Sequence, residues 1–505
     1  MSRPRSSLPL VVALVALPGL PALLACAAEK PTTRAVAGVE SDASRPAPAD
    51  AAASASPGSP PSPTNLGPTP AVDRALADGN DDEAPDGTPV VLPERGAFEK
   101  VGAAPVALTR VCDLTAHAGK LYGAHANQPL GTDGAAVSVY DPHDSQRPFR
   151  TAFDWNRPGE PTKGGGGGQG FLRVHRVLDD PAGGDAARLY VTDADPPYAG
   201  FGMADWGTEG FVFVSDHDGA FARPRMPKHQ PPLAPTREGK AGALVLPRAY
   251  HVIDAIRWRG TTWASTGSVP PTEKAWRGAS PGALHRTNAA FTRMTYAADY
   301  PNPYQNGVWR LTFMVRFRGA LLAGIQDYDG VEPNDYVRID CEGADDSTCA
   351  EGAKLTVTPK RVTDSGTAQT VRWYADGKGR LYWITWNRDG VVVRVTEDAE
   401  RWDTLSLPPG SGRPSDVLRL GDRIVVMAEN GLYAAPATHL VPNAEEWVQV
   451  ASVSVPPAGD KPAKKTKSPF VLDDIFCGAP LAALGGVLYV GGQRNGALYR
   501  VTAAP

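Results

Sequence analysis

The sequence predicts an all-β fold built from repeated four-stranded units. Counts of 53 Gly and 49 Pro in 505 residues favour many turns over long helices. Short apolar strands, most of them following a Gly-containing turn, recur along the chain, and each is followed after a loop by another β-rich run. The recurring strands are GKLYGAHAN at 119, ARLYVTDAD at 187, GTTWASTGS at 260, GALLAGIQD at 319, GRLYWITWN at 379, DRIVVMAEN at 422 and GVLYVGGQR at 486.

A fourth strand completes most of these units. It is expected to begin at an aromatic or bulky apolar residue, at Phe149, Phe221, Phe291, Leu355, Trp402 and Trp447. The last unit lacks one, because the chain stops directly after GALYRVTA. The missing strand is expected at the other end of the domain, as the segment AFEKV at 97. Such a strand would close a ring and remove an open sheet edge.

Repeats of this length, each with four short strands, match the β-propeller pattern, in which neighbouring blades bury one another's faces. The predicted fold is a single seven-bladed β-propeller over residues 97–505, with six or eight blades as alternatives. The turns SDHDGAF, TNAAF and TEDAERW resemble degenerate Asp-box hairpins of sialidase-like propellers. In those proteins the box is structural and does not catalyse.

The N-terminus carries an export signal. Arg3 and Arg5 precede an apolar stretch from Leu8 to Leu24, and Leu-Leu-Ala closes it before Cys26. This resembles the lipobox of bacterial lipoprotein precursors. The resemblance implies that residues 1–25 are a signal peptide, that Cys26 is lipidated, and that the protein is anchored to the cell envelope, at the outer membrane. The alternative is a simple secretory signal, which would give a secreted or periplasmic protein.

Residues 26–96 are rich in Ala, Pro and Ser and almost free of aromatic residues, so they are expected to form a disordered linker. The cysteines agree with export. If Cys26 carries lipid, four remain, and they can form two bridges in an oxidising compartment. The expected pairs are Cys341 with Cys349 and Cys112 with Cys477. The alternative is that Cys112 or Cys477 is a buried thiol.

Charge excludes one class of partner. With 51 basic and 55 acidic residues interspersed, the net charge is −4, and no basic stripe for nucleic acid is present. The expected partner is instead an envelope polysaccharide, a peptide or a protein, and the protein is expected to be monomeric, touching the membrane through its lipid anchor alone.

Loop lengths place the expected binding surface on one face of the propeller. Connections from fourth to first strands and from second to third strands share this face, called the top face here, and long loops on a rigid scaffold commonly carry binding residues. The long segments assigned to it are DWNRPGEPTKGGGGGQG, RPRMPKHQPPLAPTREGKAGALVLPR, PPAGDKPAKKTKSP, PPYAGFGMADWGTE and VPPTEKAWRGASP.

Polar residues at the strand ends of the top face are the candidate binding residues, although strand ends are commonly solvated and polar. They are His175, Asp193, Asp195, His251, Asp327, Arg372, Trp386, Asp416, Glu429, Asp474 and Arg494. No cofactor is expected. Asp327, Asp329 and Glu332 are weak calcium candidates because their alternate spacing lacks the further ligands of an EF-hand loop. His175 and His251 could share a metal or bond to the next blade.

No nucleophile, base and orienting acid occur in a recognisable spacing. The leading hypothesis is therefore an envelope-anchored binding or scaffold protein that uses the top face. The alternative is a secreted glycan or lactone hydrolase or lyase with carboxylates at the channel mouth, chosen from Asp193, Asp327, Asp416, Glu429 and Asp474.

Overall fold

The structure is a computed structural model. It describes residues 88–105, 108–126, 135–155, 170–178, 187–194, 210–222, 233–247, 249–268, 282–301, 308–327, 332–342, 349, 351–363, 368–453 and 468–504. The predicted signal peptide, Cys26 and most of the predicted linker lie outside these ranges. Within them, no helix is long and apolar enough to cross a membrane.

Among the described residues, twenty-eight strands form the fold, and a short 3-10 helix spans Ala444–Glu446. The first strand is β1 (Gly96–Ala103). The next twelve strands are β2 Arg110–His117, β3 Lys120–Ala126, β4 Ala136–Tyr140, β5 Phe149–Asp154, β6 Phe171–Leu178, β7 Ala187–Asp193, β8 Gly210–Val214, β9 Gly242–Leu246, β10 Ala249–Trp258, β11 Thr261–Ser268, β12 Gly282–Thr287 and β13 Met294–Asp299. The remaining strands are β14 Val308–Phe317, β15 Ala320–Asp327, β16 Tyr336–Cys341, β17 Leu355–Lys360, β18 Gln369–Ala375, β19 Leu381–Asn387, β20 Gly390–Thr396, β21 Asp403–Leu405, β22 Pro414–Leu420, β23 Arg423–Ala428, β24 Gly431–Pro436, β25 Val448–Ser452, β26 Leu481–Leu484, β27 Val487–Gly491 and β28 Ala497–Ala503.

These strands form five four-stranded antiparallel sheets and one eight-stranded sheet. The five sheets are β2–β5, β6–β9, β10–β13, β14–β17 and β18–β21, each in chain order, and the eight-stranded sheet has the order β22-β23-β24-β25-β1-β28-β27-β26. The first strands of successive sheets contact one another, and β26 contacts both β22 and β2. The fold is therefore all-β with a β-propeller arrangement, as the sequence predicts.

The N-terminal strand joins the last strand of the chain. β1 pairs antiparallel with β28 from Gly96↔Ala503 to Ala103↔Ala497, with one register shift. The sequence places a strand at this point and assigns it the same partner sheet. The ring thereby ends in a paired strand rather than an exposed edge.

Tight hairpins at the bottom face, opposite the top face, connect first to second strands. Ala118–Gly119, Arg259–Gly260 and Arg318–Gly319 all have positive φ at both positions. Two consecutive positive φ angles are the signature of a type I′ turn, whose twist matches that of the flanking strands. Glycine at the second position adopts this conformation without steric cost, which explains the repeated short polar turn in the sequence.

The fourth strands do not all begin where the sequence predicts. β5 and β17 start at Phe149 and Leu355, but β9 starts at Gly242, well after Phe221. Phe221 instead packs on Phe153, with ring centroids 5.3 Å apart. The long segment at 223–248 was thus wrongly assigned to the top face, because it contains β9 and most of it connects a third strand to a fourth.

Aromatic side chains fill the space between sheets. The rings of Trp373 and Trp383 stack with centroids 4.7 Å apart, and both are fully buried. Tyr336 of the preceding sheet packs edge-on against Trp383 and donates a hydrogen bond to the carbonyl of Ala399. Such packing makes each blade depend on its neighbours for stability.

Both predicted disulfides are present. Cys341 is bonded to Cys349, and Cys112 of β2 is bonded to Cys477, which precedes β26. The second bridge joins segments separated by 365 residues and links the first sheet to the end of the ring. Disulfides persist in oxidising compartments, so the two bridges indicate an exported protein.

Candidate functional site

Three aspartates occupy equivalent places in the first strands. A register shift precedes each of Asp113 in β2, Asp254 in β10 and Asp416 in β22, and all three side chains are buried. A β-bulge re-aims the side chain that follows it. Each aspartate accepts a hydrogen bond from a backbone N–H of the next first strand, at 3.0 Å from Val174, 2.7 Å from Met314 and 2.6 Å from Leu481, respectively. These carboxylates therefore clamp neighbouring blades together.

Two arginines connect the three aspartates across the middle of the ring. Arg372, which also follows a register shift, lies 2.7 Å from Asp113 and 3.0 Å from Asp416. Arg173 lies 3.4 Å from Asp113 and 3.9 Å from Asp254. We call these five residues, together with His175, the axial network. Its carboxylates are buried and matched with guanidinium groups, the arrangement that buried charge requires.

His175 completes the axial network at one end. Its Nε2 lies 2.6 Å from Asp254 Oδ1, so it bonds to the next blade. His251 is engaged elsewhere, with Nε2 2.9 Å from Arg310 Nη2. Burial and the Arg310 cation hold the pKa of His251 well below its usual range. Arg310 in turn donates to Gln326. Among the described contacts, each histidine bonds to the neighbouring blade, which confirms one of the two interpretations.

The pKa of the Asp416 carboxyl is also perturbed. Burial raises its pKa to about 6, while Arg372 and the backbone N–H groups of Leu481 and Val417 oppose that rise. A carboxyl with a pKa in this range can exchange a proton near neutral pH. The same side chain, however, is held by Arg372 and by Leu481, which are structural contacts.

A segment from Ser468 to Pro480, which we call the plug segment, lies across the channel mouth. Phe476 reaches Phe313 of β14, with ring centroids 6.2 Å apart, and Cys477 is bonded to Cys112 of β2. Arg110 of β2 bonds to both Asp473 and Asp474. The plug segment therefore contacts strands on opposite sides of the ring.

Little space remains beneath the plug segment. The cavity there has a volume of about 10 Å³, room for about one water molecule. Its lining residues are Cys112, Arg173, Phe313, Val371, Arg372, Ser415, Asp416, Phe476, Gly478 and Pro480. Asp416 and Arg372 thus lie below this cover.

Asp474 is part of the plug segment rather than of a first strand. It accepts hydrogen bonds from Arg110 and from the backbone N–H groups of Phe476 and Cys477. Burial raises its pKa, and Arg110 opposes the rise. Its contacts fix the loop that carries the disulfide, which is a structural role.

Asp193 is the last residue of β7 and is fully buried. Its Oδ2 accepts a hydrogen bond from Trp155 Nε1 at 2.8 Å, and its Oδ1 has no partner among the described residues. Burial raises the pKa of Asp193 well above its usual range. The side chain lies where the connection between the second and third strands begins. Asp195 lies outside the described residues.

Two of the calcium candidates accept backbone hydrogen bonds. Asp327 Oδ2 accepts the backbone N–H of Glu332 at 2.7 Å, and Glu332 Oε1 accepts the backbone N–H of Asn334 at 3.0 Å. Asp329 lies outside the described residues. Within the described ranges, no group of three or more His, Cys, Asp or Glu side chains is placed to hold a metal ion. The two carboxylates bind backbone groups of their own loop.

Trp386 and Glu429 are brought together by a residue that was not predicted, Arg413. The Arg413 guanidinium carbon lies 5.2 Å from the centroid of the Trp386 ring, and Arg413 Nη2 donates to Glu429 Oε1 at 2.6 Å. The group lies at the top ends of β19 and β23. Arg494 is exposed and makes no described side-chain contact with this group.

The axial network also contains three residues that sequence reasoning missed, namely Asp113, Arg173 and Asp254. A signal for two of them was present, because Asp113 and Asp254 each precede the glycine of the bottom hairpin, Gly119 or Gly260, by the same number of residues. The structure brings these three together with His175, Arg372 and Asp416. It does not bring Asp193, Asp327 or Glu429 into that network.

No protein-family model matches the chain, and no curated protein is similar to it in sequence. Distant likenesses to solved structures exist. A catalytically inactive virginiamycin B lyase from Staphylococcus aureus has a TM-score of 0.45 at 9% identity, covering 81% of this chain and 100% of that one. PorZ, a surface component of the type-IX secretion system of Porphyromonas gingivalis, has a TM-score of 0.43 at 14% identity, and the match covers 78% of this chain and 47% of that one. An α-L-arabinanase from Penicillium chrysogenum has a TM-score of 0.36 at 10% identity, and the match covers 81% of this chain and 98% of that one. No functional residue is carried from them to this chain.

Proposed function

We propose that this protein is an exported binding protein whose top face recognises an envelope polysaccharide, a peptide or a protein partner. One observation carries the proposal: the charged side chains nearest the axis hold the blades together, and the plug segment covers them with a cavity of about 10 Å³ beneath. The ligand then binds to the surface above the plug segment and to the strand ends around it. Rigid scaffolds with variable loops commonly bind in this way.

The position of the N-terminal segment supports the proposal that the top face points away from the membrane. Gly96 begins β1 beside Ala503, at the bottom ends of the strands, and Thr88 and Pro89 lie next to Gly486 of a bottom hairpin. Residues 88–96 therefore lie at the face opposite the binding surface. We propose that Cys26 is the lipid anchor, at the outer membrane, and that the monomeric propeller presents its top face away from that membrane.

The proposed ring has seven blades. The eight-stranded sheet consists of two groups of four strands, β22–β25 and β26–β28 with β1, and the parallel pairing of Gly96 with Ala451 joins them. Each group has the strand order of the other sheets. Counting the two groups separately adds two blades to the five four-stranded sheets.

A second candidate function is a glycan or lactone hydrolase or lyase. The observation that favours it is Asp416, whose pKa of about 6 suits a general acid or base and which lines the cavity beside Arg372. This activity requires the plug segment to move, because Phe476 covers that cavity.

The test uses the purified full-length protein in a binding screen against neutral and acidic polysaccharides, peptides and envelope fractions, with and without EDTA. Saturable retention of a ligand that is recovered chemically unchanged supports the binding function. Measurable turnover without retention, lost in an Asp416→Asn variant, overturns it in favour of the enzyme. EDTA sensitivity would additionally assign a divalent cation to the interaction.

A further inference from the structure

Trp386 differs from five of the other tryptophans in the described part of the chain. It is the second-last residue of β19, at the top face, and it is partly exposed. The indole N–H groups of five other tryptophans donate hydrogen bonds to protein atoms; these are Trp155, Trp258, Trp263, Trp373 and Trp383. Trp386 donates to no described residue. Its indole is a large aromatic ring that is accessible at the top face.

Arg413 is held beside this ring by two kinds of contact. Its guanidinium carbon lies 5.2 Å from the Trp386 ring centroid, within the range of a cation–π interaction. Its Nε and Nη2 lie 3.0 and 2.6 Å from Glu429 Oε1. Nη1 has no partner among the described residues, and the Arg413 side chain is 37% exposed. Arg413 therefore keeps donor capacity that faces away from the ion pair.

Glu429 is anchored from several directions. Its Oε1 also accepts the backbone N–H of Leu472 in the plug segment at 3.2 Å, and its Oε2 accepts the backbone N–H of Arg413 at 3.2 Å. Gly412 has a φ of +78°, and a Cβ there would lie 2.8 Å from the Glu429 Cβ. The loop thus requires glycine to bring Arg413 against Glu429. The three side chains are preorganised rather than gathered from a flexible surface.

We propose that Trp386, Arg413 and Glu429 form a binding subsite for one sugar unit of a neutral saccharide. This inference rests on the proposed binding function and names the ligand class of the top face. An aromatic ring stacks on the C–H face of a sugar, while a donor and an acceptor at its side match hydroxyl groups, which both donate and accept. Arg413 offers Nη1 as the donor, and Glu429 Oε2 keeps acceptor capacity.

The charge of the group selects the kind of sugar. Glu429 lies within 2.6 Å of Arg413, so the pair carries no net charge toward a ligand. An acidic saccharide would need an unmatched cation, and a basic one an unmatched carboxylate. A neutral unit satisfies the donor and the acceptor without adding charge. Specificity of this kind comes from leaving the wrong ligand's charge unpaired.

The test measures binding of defined oligosaccharides to the full-length protein by calorimetry. The probes are cellohexaose, laminarihexaose and maltohexaose, with a hyaluronan hexasaccharide as the acidic comparison. Trp386→Ala is expected to weaken binding of the preferred neutral probe by tenfold or more, which corresponds to about 1.4 kcal/mol. Trp386→Phe is expected to restore part of it, and Glu429→Gln to weaken it while leaving the melting temperature close to that of the parent. Tyr296→Ala is the matched control, because Tyr296 is 49% exposed on another sheet.

The outcomes separate this inference from the proposed function. The subsite is overturned if Trp386→Ala binds the neutral probe as tightly as the parent does. It is also overturned if the parent binds the hyaluronan probe more tightly than the neutral probes. In both cases the proposal that the top face binds a ligand stands. Retention of a peptide or envelope protein with no affinity for any hexasaccharide also overturns the subsite alone. Turnover of a probe without retention overturns the binding function itself.

Discussion

Replacing Arg372 with Met tests whether the axial network holds the blades together. The guanidinium lies 2.7 Å from Asp113 and 3.0 Å from Asp416, and both carboxylates are essentially inaccessible, at 0% and 1% exposure. Methionine keeps much of the volume but leaves both carboxylates with one cation fewer. Removing one partner of a buried ion pair costs about 3–5 kcal/mol, because an uncompensated buried charge remains. We expect a loss of that size in the free energy of unfolding.

The control is Arg338→Met. Arg338 pairs with Asp340 at 2.9 Å, but the two side chains are 29% and 42% exposed. Exposed pairs of this kind contribute about 0–1 kcal/mol. Both variants are unfolded in urea at pH 7, with tryptophan fluorescence and circular dichroism as independent readouts. The reasoning is refuted if Arg372→Met costs no more than Arg338→Met.

A double-mutant cycle tests the partner assignment. Combining Arg372→Met with Asp416→Asn removes one of the uncompensated carboxylates. The double variant is therefore expected to be more stable than the sum of the two single changes indicates, by about 0.5–3 kcal/mol. Strict additivity would show that Arg372 and Asp416 do not act on each other.

Three further predictions concern pH, the disulfides and the first strand. Burial raises the pKa of Asp416 to about 6 from 3.8, so its contribution to stability is fully present below about pH 4 and is lost as pH rises through 6. This loss is about 3 kcal/mol, and urea titrations from pH 4 to 7 should show it in the parent but not in Asp416→Asn. Chain-entropy estimates give about 6 kcal/mol for the Cys112–Cys477 bridge and about 2.6 kcal/mol for the Cys341–Cys349 bridge. Paired Cys→Ser variants should therefore lower the melting temperature more at the first bridge; an equal effect would contradict the ring-closing role. Deleting β1 should expose the edge of β28 and produce oligomers in light scattering, whereas a monodisperse deletion variant would show that closure is dispensable.

Much of the fold follows from local sequence because hairpins and strand periodicity are local properties. The recurring apolar strands that end at 126 and 268 form the second strands of their sheets because each follows a tight turn. The start of β9 was less predictable. Phe221 is an apolar residue after a turn, but its ring packs on Phe153 without entering a strand, so burial and strand formation separate there.

The candidate site depended more on tertiary structure. His175, Arg372 and Asp416 were identifiable as polar residues near the beginnings of first strands. The contact between Arg372 and Asp113 was not predictable, because the two residues lie far apart in sequence and meet only when the ring closes. The plug segment could not be predicted either, since its position comes from contacts with β2 and β14 together.

The sequence by itself determined the repeated strands, the terminal strand that completes the last sheet and both disulfide pairs, because these depend on local pattern, parity and order along the chain. Only the tertiary structure decided which polar residues face one another. Asp416 is a buried partner of Arg372 beneath Phe476, while Trp386 and Glu429 meet through Arg413. The physical reason is that a bulge or a glycine turn redirects a side chain, and the pattern of apolar and polar residues along a strand does not specify that direction.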